Sequence, residues 1–485
     1  MTVSDTERRN ADGALRRGAI GTGDIVFFVV AAAGPLAATV GASPMTFRAN
    51  GVGTTGTYLI GTLIYLVFAV GFATMSRHVS SAGGFAMLIS RGLGARAGFA
   101  AAGVALLAYN AMLVGIIGLF SFFANSIFAD LTGIHVPWQD WAALVIISIG
   151  VMGYLDIHMS ARVLGVLMIL EVAILILFSV AVIATGGQNG LNLDAFHPDR
   201  VFSGNVGLAF LFAFSAFIGV EATVIYGEEA RNPERTVPRA TYIAVALTGG
   251  FYVLVTYALG CAYGTERVVE IAARHPDTFV FDINTRYVGA WSTLLMKILV
   301  ITSLFAVLLA LQNTCSRYLF AMGRGRLLPA SLGRSHPRYC SPYRASLVES
   351  LIVIIAVGAF VAVRADPFAT LYAWFVGLGT VGVLVLQFFA SIAVVGFFRR
   401  TRRDRRIWPT LVAPILGALG LGFALVLALV YFNEMTGVTR GPVTLLPVLV
   451  PAIAIAGMLW GAHRQRSHNA SVDEGFEAKT LTGQP

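Results

Sequence analysis

The chain has 485 residues, of which 57% are hydrophobic and only 12% are charged. A soluble globular protein carries roughly 25% charged residues, so the composition excludes an ordinary soluble domain. The net charge of +9 would suit a nucleic-acid-binding protein, but the basic residues lie between long apolar stretches, and we expect no nucleic-acid partner.

Twelve stretches are each long and apolar enough for a membrane helix, which needs about 20 residues. We number them spans 1 to 12; they start near Asp24, Gly53, Ala97, Trp138, Ala161, Phe202, Arg239, Ala290, Ser346, Pro367, Trp408 and Pro442. The N-terminus is hydrophilic through Gly23 and has no small-residue cleavage site, so we expect no signal peptide. The pattern predicts an all-α polytopic membrane protein with short loops. A short surface helix is expected within residues 264–289.

Basic residues are distributed unequally between the two sides of these spans. If both termini are cytoplasmic, 26 of the 34 Lys and Arg residues lie inside and seven lie outside. Such a bias predicts a multi-pass protein of the cytoplasmic membrane with both termini inside. The cluster Arg399–Arg406 is explained by anionic lipid headgroups alone. Lys297 lies within span 8, where it either reaches outward or pairs with an acid.

Two glycine-rich runs match the dinucleotide fingerprint literally, at residues 51–56 and 377–382. Neither follows a predicted strand, which that motif requires, so close packing of membrane helices explains them. The cysteines Cys261, Cys315 and Cys340 have neither zinc spacing nor a disulfide pattern. No metalloprotease, phosphate-loop or serine-nucleophile motif occurs, so the sequence predicts no enzyme, no cofactor and no metal site.

Spans 1 and 6 carry matching interruptions near the middle of the membrane. Span 1 contains Gly34-Pro35, and span 6 contains Gly219 beside small residues. Proline removes a helix donor, and broken helices at corresponding places in two halves indicate a transporter site. A simple proline kink is the alternative at span 1. The predicted substrate-binding residues are Ala33, Gly34, Pro35, Leu36, Ser215, Ala216, Phe217, Ile218 and Gly219, with Asn110 of span 3 as a further candidate.

Two longer motifs resemble the amino acid–polyamine–organocation (APC) permeases. One is Phe217-Ile218-Gly219-Val220-Glu221 with the following Gly227-Glu228-Glu229-Ala230-Arg231-Asn232-Pro233-Glu234-Arg235. The other, at residues 313–329, is similar to the family's end of span 8. Family members often carry Gly-Ser-Gly-Ile at the first break, where this chain has Ala33-Gly34-Pro35-Leu36.

The resemblance implies the leucine-transporter-type fold, with five plus five inverted helices and two peripheral helices. On this chain it assigns residues 24–185 to the first repeat, 202–398 to the second, and 408–462 to spans 11 and 12. Residues 1–23 and 463–485 would be cytoplasmic tails.

Acids within spans are expensive in a membrane, so each is a functional candidate. Glu171 lies in the apolar centre of span 5, where some proton-coupled relatives carry a lysine at what looks like the same position. A carboxylate left ionised there would be costly, so we expect it to be protonated when the site is dry. Glu221 follows the span 6 break, and the resemblance suggests a gating or coupling role. A structural hydrogen bond is the alternative for both acids, and for Asn110.

The expected function is secondary transport of an amino acid or related amine by alternating access, coupled to protons. Its partners would be that small molecule, protons and membrane lipids. An uncoupled facilitator or exchanger of amines or polyamines is the first alternative. A non-transporting sensor of the same fold is the second, but the sequence has no soluble signalling domain to support it.

Overall fold

The computed structural model describes residues 21–79, 84–155, 161–191, 193–225, 230–325, 327–336, 341–436 and 442–463. Ten helices in these ranges are long and apolar enough to cross a membrane. One of the ten joins the second half of span 1 to span 2, and span 6 is broken into shorter pieces. The chain therefore has the twelve spans that hydropathy predicts.

The helices begin close to the predicted starts. Spans 1 to 6 are Thr22–Ala33 with Pro35–Asn50, Thr54–Ser76, Ala95–Thr132, Trp138–Leu155, Ala161–Thr185, and Val206–Ser215 with Ala222–Ile225. Spans 7 to 12 are Pro233–Tyr263, Ala290–Arg324, Tyr343–Ala362, Pro367–Thr401, Trp408–Val430 and Val443–His463. Span 7 starts earlier than predicted because Pro233 occupies the first helical position, where its fixed φ suits a helix start.

The predicted tails lie almost entirely outside the described residues, as do Glu228 and Glu229. The division into two repeats and two peripheral helices stays a prediction in its boundaries. Of the apolar window of span 3, 78% is buried, against 33% for span 11 and 6% for span 12. Span 3 therefore lies at the centre of the bundle, and spans 11 and 12 present most of their surface outward.

Two short helices occupy the segment between spans 7 and 8, where a surface helix is predicted. They are Val268–Arg274 and Phe279–Tyr287. Phe279 stacks on Tyr263 at 4.7 Å between ring centroids, and Phe281 meets Phe123 of span 3 edge-on at 6.1 Å. With a further contact between Phe279 and Phe47 of span 1, at 5.6 Å, these aromatic pairs hold the segment against the ends of spans 1, 3 and 7.

The C-terminal end of span 1 is bonded to the segment that leads into span 6. The Asn50 side chain donates to the Val201 carbonyl at 2.8 Å and accepts from the Gly204 N–H at 3.1 Å. Beside it, the Asn205 N–H donates to the Ala49 carbonyl at 2.8 Å. Asn50 is buried, so these bonds are shielded from competition by water.

Candidate substrate-binding and coupling site

The interruption of span 1 is confined to one residue, Gly34, whose φ is +53°. A side chain there would be strained, and its Cβ would lie 2.7 Å from Val307 Cγ2, so only glycine fits. Pro35 begins the second half-helix, at a position whose N–H has no partner within the helix. The Ala38 N–H donates to the Gly34 carbonyl at 2.8 Å, so that half is helical from its first turn.

The interruption of span 6 is longer. Four backbone N–H groups here donate to carbonyls three residues earlier rather than four, as in a 3₁₀ turn; they are those of Ala216, Phe217, Ile218 and Val220. Within this turn Gly219 has a φ of +110°, and its N–H donates to the Glu221 carboxylate at 3.0 Å. Both breaks predicted from the sequence are therefore present, one sharp and one extended.

The two breaks border one cavity of about 130 Å³. Its walls are mostly aliphatic and come from spans 1, 3, 6, 8 and 10. The lining residues are Ala33, Ala37, Ala38, Ala42, Tyr109, Met112, Ile116, Leu119, Ser215, Ala216, Ile218, Gly219, Glu221, Val307, Ala310, Leu311, Thr314, Tyr372 and Val376. Of the residues predicted from the sequence, Ala33, Ser215, Ala216, Ile218, Gly219 and Glu221 are among them.

The other predicted residues lie behind this wall or away from it. Phe217 is fully buried and stacks on Tyr65 at 4.5 Å between ring centroids. Gly34 and Leu36 are buried beneath the cavity surface, while Pro35 lines a separate crevice. Asn110 donates to the Leu106 carbonyl at 3.0 Å and to Glu349 at 3.4 Å. A binding role for these residues stays a prediction.

The polar groups of the cavity are few. The Ser215 hydroxyl donates to the Phe212 carbonyl at 2.6 Å, and the Thr314 hydroxyl donates to the Ala310 carbonyl at 2.8 Å. Both protons are thus used within their own helices, which leaves these oxygens as acceptors. The groups of the cavity that carry or attract charge are therefore the backbone groups at the breaks and Glu221, and the hydroxyls of Tyr109 and Tyr372 are its other polar side-chain groups.

Glu171 lies beside the first break, in its own crevice. Its carboxylate accepts from the Ser303 hydroxyl at 2.8 Å and from the Leu36 N–H. The crevice has about 10 Å³ of space, close to what a single water requires. No ion pair to Glu171 is present within the described ranges. The Glu171 carboxyl of span 5 thus accepts a hydrogen bond from the Leu36 N–H. That N–H has no partner within its own helix because span 1 is broken at Gly34.

Glu221 is 4% exposed and belongs to the second break. Its two oxygens accept from the Tyr109 hydroxyl at 2.8 Å and from the Gly219 N–H at 3.0 Å. Tyr109 belongs to span 3, so this hydrogen bond joins the extended break to the central helix. Both oxygens have a donor, which suits a carboxylate that is held in place.

A third acid, Glu349 of span 9, is fully buried and was missed from the sequence. The predicted start of span 9 at Ser346 put it at the membrane interface, whereas the helix begins at Tyr343.

Lys297 forms an ion pair with Asp130 of span 3, which agrees with one of its two predicted arrangements. Its ammonium also lies 5.6 Å from the centre of the Phe281 ring.

Twelve spans, with the first and sixth broken around one cavity, define a membrane protein of the leucine-transporter-type fold. A solved structure of similar fold is the manganese transporter of Eremococcus coleocola, with a TM-score of 0.60 and 13% identity over 92% of this chain and 95% of that one. A family model described as amino acid permease matches residues 20–453, so the chain belongs to the amino acid permease family.

Curated relatives are transporters by name. An uncharacterized transporter of Mycobacterium bovis is 30% identical over 288 residues, which cover 59% of this chain and 61% of that protein. The chain thus spans less than two thirds of that relative's length. The branched-chain amino acid permease BcaP of Bacillus subtilis is 26% identical over 400 residues, covering 78% and 81% of the two chains. Human cationic amino acid transporter 4 is 27% identical over 202 residues, covering 42% and 29%.

Proposed function

We propose that this protein carries an amino acid with an aliphatic side chain across the cytoplasmic membrane, together with a proton, by alternating access. The observation that carries the proposal is the single cavity bordered by both broken helices. Its aliphatic walls suit a hydrocarbon side chain, because a polar ligand group would find few partners there. The named substrate class of the BcaP relative supports the same choice.

The backbone at the breaks would hold the common part of the amino acid. The second half of span 1 begins at Pro35, and its first N–H groups have no helical partner. These donors and the positive end of the half-helix would meet the substrate carboxylate. Because Glu171 already accepts from Leu36, the Ala37 N–H at the cavity wall is the donor that we assign to the substrate. The ammonium would meet carbonyl groups at Ala33 and Ser215.

Glu171 is the group to which we assign the coupled proton. An ionised carboxylate in a crevice with room for about one water is costly unless it is paired. A proton taken up there would remove that cost and weaken the acceptor that holds the Leu36 N–H. Proton binding would thus change the hydrogen bond that joins span 5 to the broken span 1. An uncoupled facilitator is the alternative that the experiment must exclude.

The test is uptake into vesicles containing the purified protein. Leucine, isoleucine and valine should accumulate under an inward proton gradient, whereas lysine and arginine should not. Glu171→Gln should still bind leucine and exchange it in counterflow, but it should lose gradient-driven accumulation. Glu270→Gln, an exposed acid paired with Arg274, is the control and should behave as the wild type.

Three outcomes would contradict parts of this proposal. Wild-type uptake that ignores the gradient would exclude proton coupling and favour a facilitator or a sodium-driven mechanism. Gradient-driven accumulation by Glu171→Gln at the wild-type level would make Glu171 structural, and Glu221 would be tested next. Absence of any amino-acid uptake would favour a sensor of the same fold.

A second substrate class is favoured by one observation, the carboxylate of Glu221 at the cavity wall. A cationic amino acid or an amine would place its charge there, in line with the name of the human relative. In this case lysine would outcompete leucine in the same vesicles, and Glu221→Gln would remove that preference. Both substrate classes assume the predicted orientation, in which both termini are cytoplasmic.

A further inference from the structure

Glu349 is a buried acid that has no role in the transport cycle proposed above. Its side chain has no exposed area. One carboxyl oxygen accepts from the Asn110 amide at 3.4 Å, and the Cys315 thiol of span 8 is hydrogen-bonded to the same group. The other oxygen, Oε1, has no hydrogen-bond partner within the described ranges. No ion pair to Glu349 occurs there either, so its charge is uncompensated whenever it is ionised.

Two consecutive residues of span 3 connect Glu349 to the acid at the cavity wall. The Tyr109 hydroxyl donates to Glu221 at 2.8 Å, while Asn110 donates to Glu349. The central helix therefore contacts both acids with adjacent side chains. The two acids are thus each hydrogen-bonded to one of two neighbouring side chains of the same buried helix.

Span 8 supplies the groups that lie between the two acids. The Tyr318 ring is 5.7 Å from the Tyr109 ring, and its buried hydroxyl has no hydrogen-bond partner among the described residues. Cys315 is hydrogen-bonded to Glu349. Hydroxyl and thiol groups, each able to donate and accept a proton, thus lie near both acids, and a water at the Tyr318 hydroxyl would be needed to join them.

A purely structural network is the competing explanation. Such networks are stabilising when every buried polar atom has a partner. Here Glu349 Oε1, Asn110 Oδ1 and the Tyr318 hydroxyl lack one among the described residues, as does Ser346 Oγ one turn before Glu349. Native interiors leave few such atoms, and water is their usual partner. A group of hydratable atoms beside an unpaired acid favours a site that exchanges protons.

The remaining titratable groups near span 9 are grouped at its inner end. Tyr343 and Arg344 form its first turn, and Tyr154 of span 4 and His336 of the preceding turn pack on Tyr343. Arg344 is hydrogen-bonded to the Tyr343 hydroxyl. Glu349 is six residues further along, about 9 Å at 1.5 Å per residue. Cys315 is therefore the titratable group in direct contact with it.

We propose that Glu349 is a second proton-binding carboxyl, which exchanges its proton with Glu221 through the side chains of Cys315, Tyr318 and Tyr109 and through water at the Tyr318 hydroxyl. Each transfer breaks one O–H bond on the donor acid and forms one on the acceptor acid. Every hydroxyl or thiol between them takes up one proton as it gives up its own, and no electrons move. The use of this exchange in transport rests on the proposed proton coupling; the exchange itself does not.

The test follows protonated carboxyl groups by the infrared C=O band of the full-length protein as the pH is stepped, without any substrate. Glu349→Gln should remove one titrating carboxyl from the wild-type spectrum. Ser350→Ala, on the same helix and bonded to Gln312, is the control and should leave the spectrum unchanged. Glu221→Gln and Tyr318→Phe should each shift the midpoint of the Glu349 band, by about one pH unit for strongly coupled sites.

Superimposable spectra of wild type and Glu349→Gln would overturn the proposal. A Glu349 band whose midpoint is unchanged in both Glu221→Gln and Tyr318→Phe would overturn the link to the cavity. If Glu349→Gln does not fold, Tyr318→Phe still tests the link, because it leaves both acids in place. Failure of the wild type to use a proton gradient would refute the proposed function alone, since the infrared measurement needs no transport.

Discussion

The breaks in spans 1 and 6 border one cavity but are built differently. In span 1 a single glycine, Gly34, interrupts the helix, and the released Leu36 N–H is accepted by Glu171 of another span. In span 6 a six-residue turn replaces the helix, and the released Gly219 N–H is accepted by Glu221 within the same turn. One break is stabilised across helices and the other is stabilised locally.

This difference predicts different roles for the two acids. A proton on Glu171 would alter a contact between spans 1 and 5, and thus their relative position. A proton on Glu221 would alter the shape of its own turn and the bond to Tyr109 of span 3. Both breaks have the same sequence signal, which is a glycine near mid-depth and an acid in the membrane. At the first break the acid contacts another helix, and at the second break it contacts its own helix.

The largest effect is expected for Gly34→Ala. The variant combines a strained φ of +53° with a Cβ placed 2.7 Å from Val307 Cγ2. Backbone strain of this kind costs about 1–3 kcal/mol, and the steric overlap adds to it. Uptake in vesicles should be lost and the thermal midpoint lowered. Gly358→Ala is the control, because a Cβ there meets nothing within 4 Å. Wild-type uptake by Gly34→Ala would show that the sharp break is dispensable.

A smaller effect is expected for Tyr109→Phe, which acts on the second break. The change leaves one oxygen of the buried Glu221 without its donor, at a cost of about 1–3 kcal/mol in the free energy of unfolding. Denaturation of the purified protein measures this loss. Tyr252→Phe is the matched control, since the Tyr252 hydroxyl is buried and has no partner in the described part of the chain. Equal stability of the two variants would argue against a held carboxylate at Glu221.

Ser303→Ala, which removes a donor to Glu171, should cost less, about 1 kcal/mol. The Leu36 N–H remains bonded to the carboxylate, and the enlarged crevice would admit a water in place of the hydroxyl. Thr302→Val in the same crevice is the control, because that hydroxyl bonds only to carbonyls of its own helix. A loss as large as that of Tyr109→Phe would mean that water does not replace the hydroxyl.

The smallest effect, none on uptake, is expected for single cysteines that report orientation. In a background without native cysteines, residues introduced at Arg48 and His275 should react with an impermeant reagent from outside, and one at Arg402 only from inside. All three positions are exposed. Spans 1 and 6 cross in opposite directions in either orientation, because four spans separate them, so the labelling tests only the predicted orientation with both termini inside. Outside labelling at Arg402 would contradict it.

Much of this architecture is predictable from sequence, because membrane helices are defined by length and hydropathy. Both breaks were also predicted, since glycine and proline act on the backbone locally. The partners of the breaks were not, because the contact of Leu36 with Glu171 depends on how spans 1 and 5 pack. For the same reason the sequence did not show that Phe217 turns toward Tyr65 rather than the cavity. Glu349 was not predicted as a buried acid because the predicted start of span 9 is three residues too late.

The bonds around Asn50 have a mechanical consequence. They join the C-terminal end of span 1 to the entry of span 6 through one side chain and one adjacent backbone pair. We therefore expect a rotation of the half-helix Pro35–Asn50 to be transmitted to span 6, so that the two move together. If both termini are cytoplasmic, as proposed, relative motion between the broken helices would fall to their inner halves, and we expect the inner gate to open with a wider swing than the outer gate.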